Sequence, residues 1–298
     1  MIKSCSFPAY IKAALIILSA VVFLSGCTGR YTVALPTVAD FDLHTGAVAR
    51  KDLRVGVVPG PYGDMFMDAI YPSLSEMGYT AELVFFDNFT LPNFALAKNE
   101  IDLNMFQHYR YLVNFKFDND VSLSAIAEVP TASMGIYSAK HESIDYLHNN
   151  ITVSLPDDST NLARALIVLE NAGLIRLAPY VDKARATLND IVSNAYNIEF
   201  VPLPAHALVQ ELPYSDFAVI NGNFALSGGL KLSDAVFNEW LQPYYVNVIA
   251  VRTEDLGERF VSDILTVMRS EAYWEIITDP NSAYADFQLP LNFVLRNR

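Results

Sequence analysis

Three polar residues sit where a folded α/β chain could use them on a ligand. The first is Arg164, in Asp158-Ser159-Thr160-Asn161-Leu162-Ala163-Arg164. Asp, Ser and Thr are helix N-cap residues, so a helix is expected to start at Ser159 or Thr160 and run to Asn171, with Gly173 as its C-cap. Leu162, Ala165, Leu166 and Leu169 share one face, and at 100° per residue Arg164 stands about 200° round from Leu162, away from that core. A cation in the first turns works against the helix dipole by about 0.3–1 kcal/mol. An anion held jointly by the guanidinium and the free N–H groups of the helix start would reverse that loss. A solvated surface arginine accounts for the same pattern.

Asn221 ends the apolar run Phe217-Ala218-Val219-Ile220 and precedes Gly222. Open α/β sheets bind ligands beyond the carboxyl ends of their strands, although Asn-Gly is also an ordinary turn. Asn247 interrupts Tyr244-Tyr245-Val246-Asn247-Val248-Ile249-Ala250-Val251. A buried amide without partners costs about 1–3 kcal/mol, so it must bond backbone, water or ligand. If that strand alternates, Tyr245, Asn247 and Ile249 share a face. Phe106-Gln107-His108-Tyr109-Arg110-Tyr111 follows a strand end, and Phe89 follows Asp87-Asn88. These aromatics and the histidine suit either the wall of an apolar ligand pocket or a core cluster at a helix start.

Signals for catalysis are poor. Gly-x-Ser-x-Gly does not occur, and Gly60-Pro61-Tyr62-Gly63 lacks the lysine of a phosphate loop. No two of His44, His108, His141, His148 and His206 have the spacing of a zinc-binding helix. No cofactor, no metal and no enzymatic activity are expected. The formal net charge is −13, which argues against nucleic acid or anionic lipid as the main partner.

The elements that must position these residues follow an α/β rhythm. Leu53–Val58, Ala81–Phe86 and Ile101–Phe106 read as strands. Asp64–Met77 between them reads as a helix with a possible kink at Pro72, and Leu91–Asn99 as a second helix. This β-α-β-α-β order implies a parallel sheet with both faces covered. The rhythm returns in strands at Gly135–Ser138, Ile151–Leu155, Ile198–Leu203, Phe217–Ile220 and Tyr245–Val251, and in a helix from Leu256 to about Ser270. The apolar fraction is 52%, enough for a sizeable core.

The N-terminus has a different character. Lys3 and Lys12 precede the apolar run Ala13–Phe23, which closes on Leu24-Ser25-Gly26-Cys27. A basic start, a short apolar core and small residues before a cut make a secretory signal, and Leu-Ser-Gly-Cys resembles the bacterial lipobox. That likeness implies cleavage before Cys27 and lipid on its sulfur. The run is short for the about 20 apolar residues that span a bilayer. Cys5 would leave with the signal, so the mature chain would form no internal disulfide. Residues 27–52 are expected to be a lipidated tether. The chain is then lipid-anchored in a bacterial cell envelope, facing the periplasm or exterior.

From Leu53 to about Phe293 the chain resembles the NlpA/MetQ family, the methionine-binding lipoproteins of bacterial ABC importers. The matching stretches are Phe86-Asp87-Asn88-Phe89-Thr90-Leu91-Pro92-Asn93, Ile101-Asp102-Leu103-Asn104-Met105-Phe106-Gln107-His108, Met134-Gly135-Ile136-Tyr137-Ser138, Pro156 to Leu166, Ala218-Val219-Ile220-Asn221 and Tyr245-Val246-Asn247. The resemblance implies a two-lobed periplasmic-binding-protein fold, type II-like, each lobe a mixed, mostly parallel sheet flanked by helices. Residues 53–130 with 243–298 would form lobe 1 and residues 131–242 lobe 2. It also implies that Arg164 takes an amino acid carboxylate, that Asn221 and Asn247 bond its amino and carboxylate groups, and that His108, Tyr111 and Phe89 line the side-chain pocket. On this reading Arg164→Ala removes affinity and leaves the fold intact. Phe89 and Phe224 stand where many relatives have tyrosine, and Glu128 to Ser133 differs from relatives. The expected partners are therefore an amino acid, methionine first, and an ABC permease. Another apolar amino acid or a small peptide is the nearest alternative. A lipid-anchored α/β enzyme, or a surface adhesin with a vestigial pocket, is a more distant one.

Overall fold

The computed structural model describes residues 50–145 and 147–291. The signal segment, Cys27, most of the tether and residues 292–298 lie outside the described residues. Arg50 and Lys51, expected in the tether, already belong to the folded body. Arg50 pairs with the buried Asp102 at 2.9 Å, and the Lys51 ammonium sits 3.7 Å over the Tyr79 ring.

The chain first builds β1 (Asp52–Val57), α1 (Pro61–Met65), a π-helical turn (Phe66–Ile70) and α2 (Tyr71–Glu76). It continues through β2 (Thr80–Phe85), α3 (Leu91–Ala97), β3 (Leu103–His108), α4 (Tyr109–Asn119) and β4 (Leu123–Val129). The expected kink at Pro72 is a π turn. Tyr71 N–H bonds back to Phe66 C=O, and the widened turn accommodates a proline that has no N–H to give. β3 is buried along its whole length, as befits a central strand.

A second body follows: β5 (Gly135–Tyr137), β6 (Thr152–Pro156), α5 (Ser159–Asn171), the short β7 (Arg176–Leu177) and β8 (Ile191–Ser193), β9 (Glu199–Leu203), α6 (Leu208–Glu211), β10 (Phe217–Ile220), α7 (Gly222–Ser227) and β11 (Phe237–Asn238). The chain then returns as β12 (Asn247–Arg252), α8 (Arg259–Val267) and α9 (Glu271–Thr278). The strand orders are β2-β1-β3-β12-β4 and β11-β5-β10-β6-β9, with β7-β8 a separate ribbon.

Both sheets are mixed. β1 runs parallel to β2 and β3, while β12 is antiparallel to β3 and β4. β6 runs parallel to β9 and β10, while β5 is antiparallel to β10 and β11. In each sheet four of the five strands nevertheless run one way, as expected of a mixed, mostly parallel sheet, and only the strand that enters from a crossing, β12 or β5, runs against them. Each lobe has its own core. Val55, Met65, Phe66, Met105, Ile249 and Phe260 pack in the first; Val153, Leu166, Leu169, Phe217 and Val219 pack in the second.

Two segments join the lobes, one between β4 and β5, the other between β11 and β12. Gln288 fastens both. Its Nε2 donates to Ser133 Oγ at 2.5 Å and to Glu239 C=O at 3.2 Å, its Oε1 accepts from Leu241 N–H at 3.1 Å, and its backbone bridges Thr131. Across the cleft the lobes approach closely. Gly60 has φ 131°, a value other residues avoid, and a Cβ there would lie 2.8 Å from the Asn223 Cβ.

Candidate ligand-binding site

β3, β6 and β10 all end toward the cleft. β3 delivers His108 as its last residue, and β12 opens with Asn247 directly opposite it in the antiparallel register. β10 ends at Ile220, so Asn221 becomes the N-cap of α7; the Asn-Gly pair is a strand-to-helix junction, not a hairpin turn. Gly222 is required there: a Cβ would stand 2.5 Å from Ser133 C=O. β6 ends at Pro156, and Asp158 caps α5 by accepting Asn161 N–H at 2.9 Å.

Arg164 departs from both expectations raised by its helix position. It is only 3% exposed, because α5 is enclosed on almost every side: Ala163, Ala165, Leu166, Val168 and Leu169 are buried with it. The helix start is not open to an anion either, since the Asp158 carboxylate already occupies it. The guanidinium instead meets an internal counterion. Its Nε donates to Glu239 Oε2 at 2.9 Å and its Nη2 to Glu239 Oε1. Glu239 is 6% exposed and also accepts Met134 N–H at 2.7 Å. Burial alone pulls the Arg164 guanidinium down, but the Glu239 carboxylate more than offsets this and holds it protonated above its ordinary value. The Tyr245 ring lies 5.0 Å beneath the charge, within cation–π range. Removing Arg164 strands a buried carboxylate, so Arg164→Ala does not leave the fold untouched.

The amides form one connected chain. The Asp158 carboxylate accepts from Asn161 Nδ2 at 3.1 and 3.0 Å. Asn161 Oδ1 accepts from Asn221 Nδ2 at 2.8 Å and lies 3.3 Å from His108 Nε2. The orientation of each side chain follows from the last. His108 Nδ1 accepts Tyr111 N–H at 3.1 Å, so the hydrogen is on Nε2 and points to Asn161. Burial and the nearby Arg164 charge push the His108 pKa well below 6.5, and the imidazole is neutral. Asn221 Oδ1 is left buried with no partner among the described residues, although buried acceptors are nearly always satisfied. Asn247 donates from Nδ2 to Phe106 C=O at 3.3 Å, and its own N–H bonds Thr131 Oγ1 at 2.8 Å.

Below this layer, Asn93, Asn104 and Gln107 are buried and bond one another at 2.6–2.9 Å, which locks α3 to β3. The apolar wall stands above it. The Phe89 ring centroid is 5.9 Å from those of Phe106 and Tyr111, and 5.0 Å from that of Phe224 across the cleft. Phe89 in lobe 1 and Phe224 in lobe 2 therefore meet each other.

All six residues singled out in the sequence, Phe89, His108, Tyr111, Arg164, Asn221 and Asn247, line one small cavity of about 20 Å³. Sequence reasoning missed Tyr62, Asn161 and Glu239. Tyr62 accepts Ala132 N–H at 3.1 Å and lines the same cavity. Asn161 carried a usable signal, one helical turn before Arg164 on the same face. Glu239 lies in an irregular crossing and carried none.

Two α/β lobes, joined by two crossings and facing each other over a polar cleft, define a bilobal substrate-binding protein. Residues 53–290 match the family model described as NlpA lipoprotein, and the chain belongs to that family. It is 33% identical over 226 residues to the D-methionine-binding lipoprotein MetQ of Escherichia coli (strain K12), covering 75% of this chain and 83% of that one. It is 33% identical over 237 residues to outer membrane lipoprotein 3 of Mannheimia haemolytica, covering 78% and 90%. Among solved structures it resembles a nutrient-binding protein from Burkholderia cenocepacia bound to methionine, with a TM-score of 0.72, 29% identity, and coverage of 76% and 95%.

Proposed function

We propose that this chain is the substrate-binding lipoprotein of an ABC importer, that it captures methionine between its lobes, and that it performs no chemistry on it. The observation that carries the ligand assignment is the pair of groups facing the cavity: a buried, charged Arg164 and the unpartnered Asn221 Oδ1. A zwitterion matches both. Glu239 holds Nε and Nη2 of Arg164, so Nη1 is the edge that takes the ligand carboxylate. Asn221 Oδ1 accepts from the ammonium, and Asn247 supplies a second amide on the lobe 1 side. The Arg164–Glu239 pair is neutral as a unit, in keeping with a ligand that is itself neutral overall.

The side chain of the ligand lies among Phe89, His108 and Tyr111. A thioether gains about 0.3–1.5 kcal/mol from an aromatic edge, and the neutral His108 imposes no charge on it. Binding acts by differential affinity, because only the closed arrangement lets Arg164 and Asn221 in lobe 2 and Asn247 in lobe 1 touch one molecule. Among the described residues, lobe 1 takes 50–130 and 243–291, and lobe 2 takes 131–242. Lipid on Cys27 anchors the chain to the envelope membrane; no helix of the described residues is long and apolar enough to cross one.

Titration calorimetry of the full-length chain in detergent, with L- and D-methionine in parallel, tests the reading. Saturable binding at one equivalent is expected. No heat with either enantiomer, together with a different molecule found by native mass spectrometry, would refute methionine and favour the alternative apolar amino acid or peptide.

A further inference from the structure

The two histidines that showed no metal spacing in the sequence, His141 and His148, come together on lobe 2 beside Asp216. One ligand atom from each of the three lies within 4.8 Å of the others. We propose that His141, His148 and Asp216 form a binding site for a first-row divalent transition metal of the zinc class.

The site is built, not incidental. Asp216 is the residue before β10, and its Oδ2 is committed to Thr152, accepting the backbone N–H at 2.8 Å and the hydroxyl at 3.1 Å. That fixes Oδ1 toward His141, whose Nε2 stands 3.3 Å away. Metal bonds of about 2.0–2.2 Å to nitrogen and oxygen at a tetrahedral angle place two ligand atoms about 3.4 Å apart, so His141 and Asp216 already have the spacing of a coordinated pair. His141 is held from behind as well. Its N–H bonds Ser138 Oγ at 2.9 Å, and its ring stacks on Phe217 at 5.0 Å and 20°. His148 completes the set. Its Nδ1 lies 2.9 Å from the Asn149 carbonyl and must carry the hydrogen, which leaves the Nε2 lone pair for a metal. His148 is exposed, so its side chain is free to close the last ångström.

Two imidazoles and one carboxylate suit zinc, copper or nickel and not magnesium or calcium, which prefer oxygen throughout. Solvent completes the coordination at this rim position. Lys140 works against the ion: its ammonium is 4.0 Å from Asp216 Oδ1, held there by the Tyr214 carbonyl at 2.9 Å. The site lies at the opposite end of β10 from Asn221, four strand residues or about 15 Å away. It stands or falls independently of the ligand assignment.

The test uses the full-length chain in detergent, without a histidine tag, titrated with zinc chloride by calorimetry and by thermal melting, with magnesium chloride as control. One equivalent of zinc is expected to bind and raise Tm, with no response to magnesium. His148→Ala should weaken zinc by more than the about 10–100-fold that loss of a residue behind a ligand causes, and should leave methionine binding unchanged. Lys140→Met should tighten zinc several-fold. Zinc binding that survives His148→Ala undiminished, or the absence of a saturable zinc isotherm in the unaltered chain, would overturn the site and leave His141–Asp216 as a hydrogen-bonded pair only.

Discussion

The Arg164–Glu239 pair separates two roles that a single substitution confuses. Arg164→Met removes the guanidinium and leaves the Glu239 carboxylate, 6% exposed, with only Met134 N–H to hold it. Breaking a buried pair from one side costs about 3–5 kcal/mol, and at about 2–4 °C per kcal/mol for a chain of this size the Tm should fall by about 6–20 °C. A binding assay on that variant alone reads lost clamp and lost fold together. Glu239→Gln keeps the size and one acceptor oxygen but strands the buried guanidinium in its turn, so alone it should also cost about 3–5 kcal/mol. The double variant Arg164→Met/Glu239→Gln has no stranded charge. It should therefore be more stable than Arg164→Met alone, a positive coupling readable by thermal or urea unfolding. Its affinity should not recover. Loss of one charge-assisted bond to a carboxylate costs about 1.5–3 kcal/mol, or about 10–150-fold in Kd. Glu239→Gln alone should keep methionine binding, because Arg164 is still present and has lost its competitor. A double variant no more stable than Arg164→Met would refute the buried-pair argument. A double variant that binds methionine like the unaltered chain would refute the clamp.

Three further outcomes follow from the same geometry. His108 has a folded-state pKa below 6.5, so the unfolded chain binds the extra proton first, and stability is full above about pH 6.5 and falls as pH drops toward the folded value. The difference between the unaltered chain and His108→Gln should therefore change by up to about 1.4 kcal/mol per pH unit below pH 6 in urea unfolding, and a flat difference from pH 7 to 5 would show that His108 is not buried neutral. Phe89→Ala removes the ring contact with Phe224 that bridges the cleft and favours the closed form, worth about 0.5–1.5 kcal/mol beyond area, so methionine affinity should fall about 2–13-fold; unchanged affinity by calorimetry would show that this contact does not support closure on the ligand. Asp102 is 1% exposed and receives Arg50 and the Arg54 backbone and guanidinium at 2.8–3.0 Å, at the end of β3 away from His108. Asp102→Ala leaves two part-exposed arginines that water can reach, so it should cost about 1.5–3 kcal/mol of stability while the protein that remains folded binds methionine normally.

The sheets were legible because fully buried strands are continuous apolar runs, and Phe217–Ile220 appears in the structure with the bounds read from the sequence. Other strand ends moved by one or two residues: β3 starts at Leu103 and reaches His108, because its polar last residues are cleft residues, not loop. Strands β4, β7, β8 and β11 and helices α4, α6, α7 and α9 were not delimited at all; α4 lacks a sharp apolar stripe, with Tyr, Arg, Asn, Lys and Asp spread through eleven residues. The misplacement of Arg164 has a more general cause. A helical wheel assigns the polar angle to solvent, but α5 sits between its own sheet and the opposite lobe, so the angle without apolar residues faces a ligand cleft. There a charge is buried and must be neutralised, and its partner comes from wherever the chain crosses between lobes. In this protein that is Glu239, 75 residues away along the chain and in a segment without periodicity. Lone charges inside apolar helices thus point to a missing counter-charge, and the fold alone can say which acid of the many in an acidic chain supplies it.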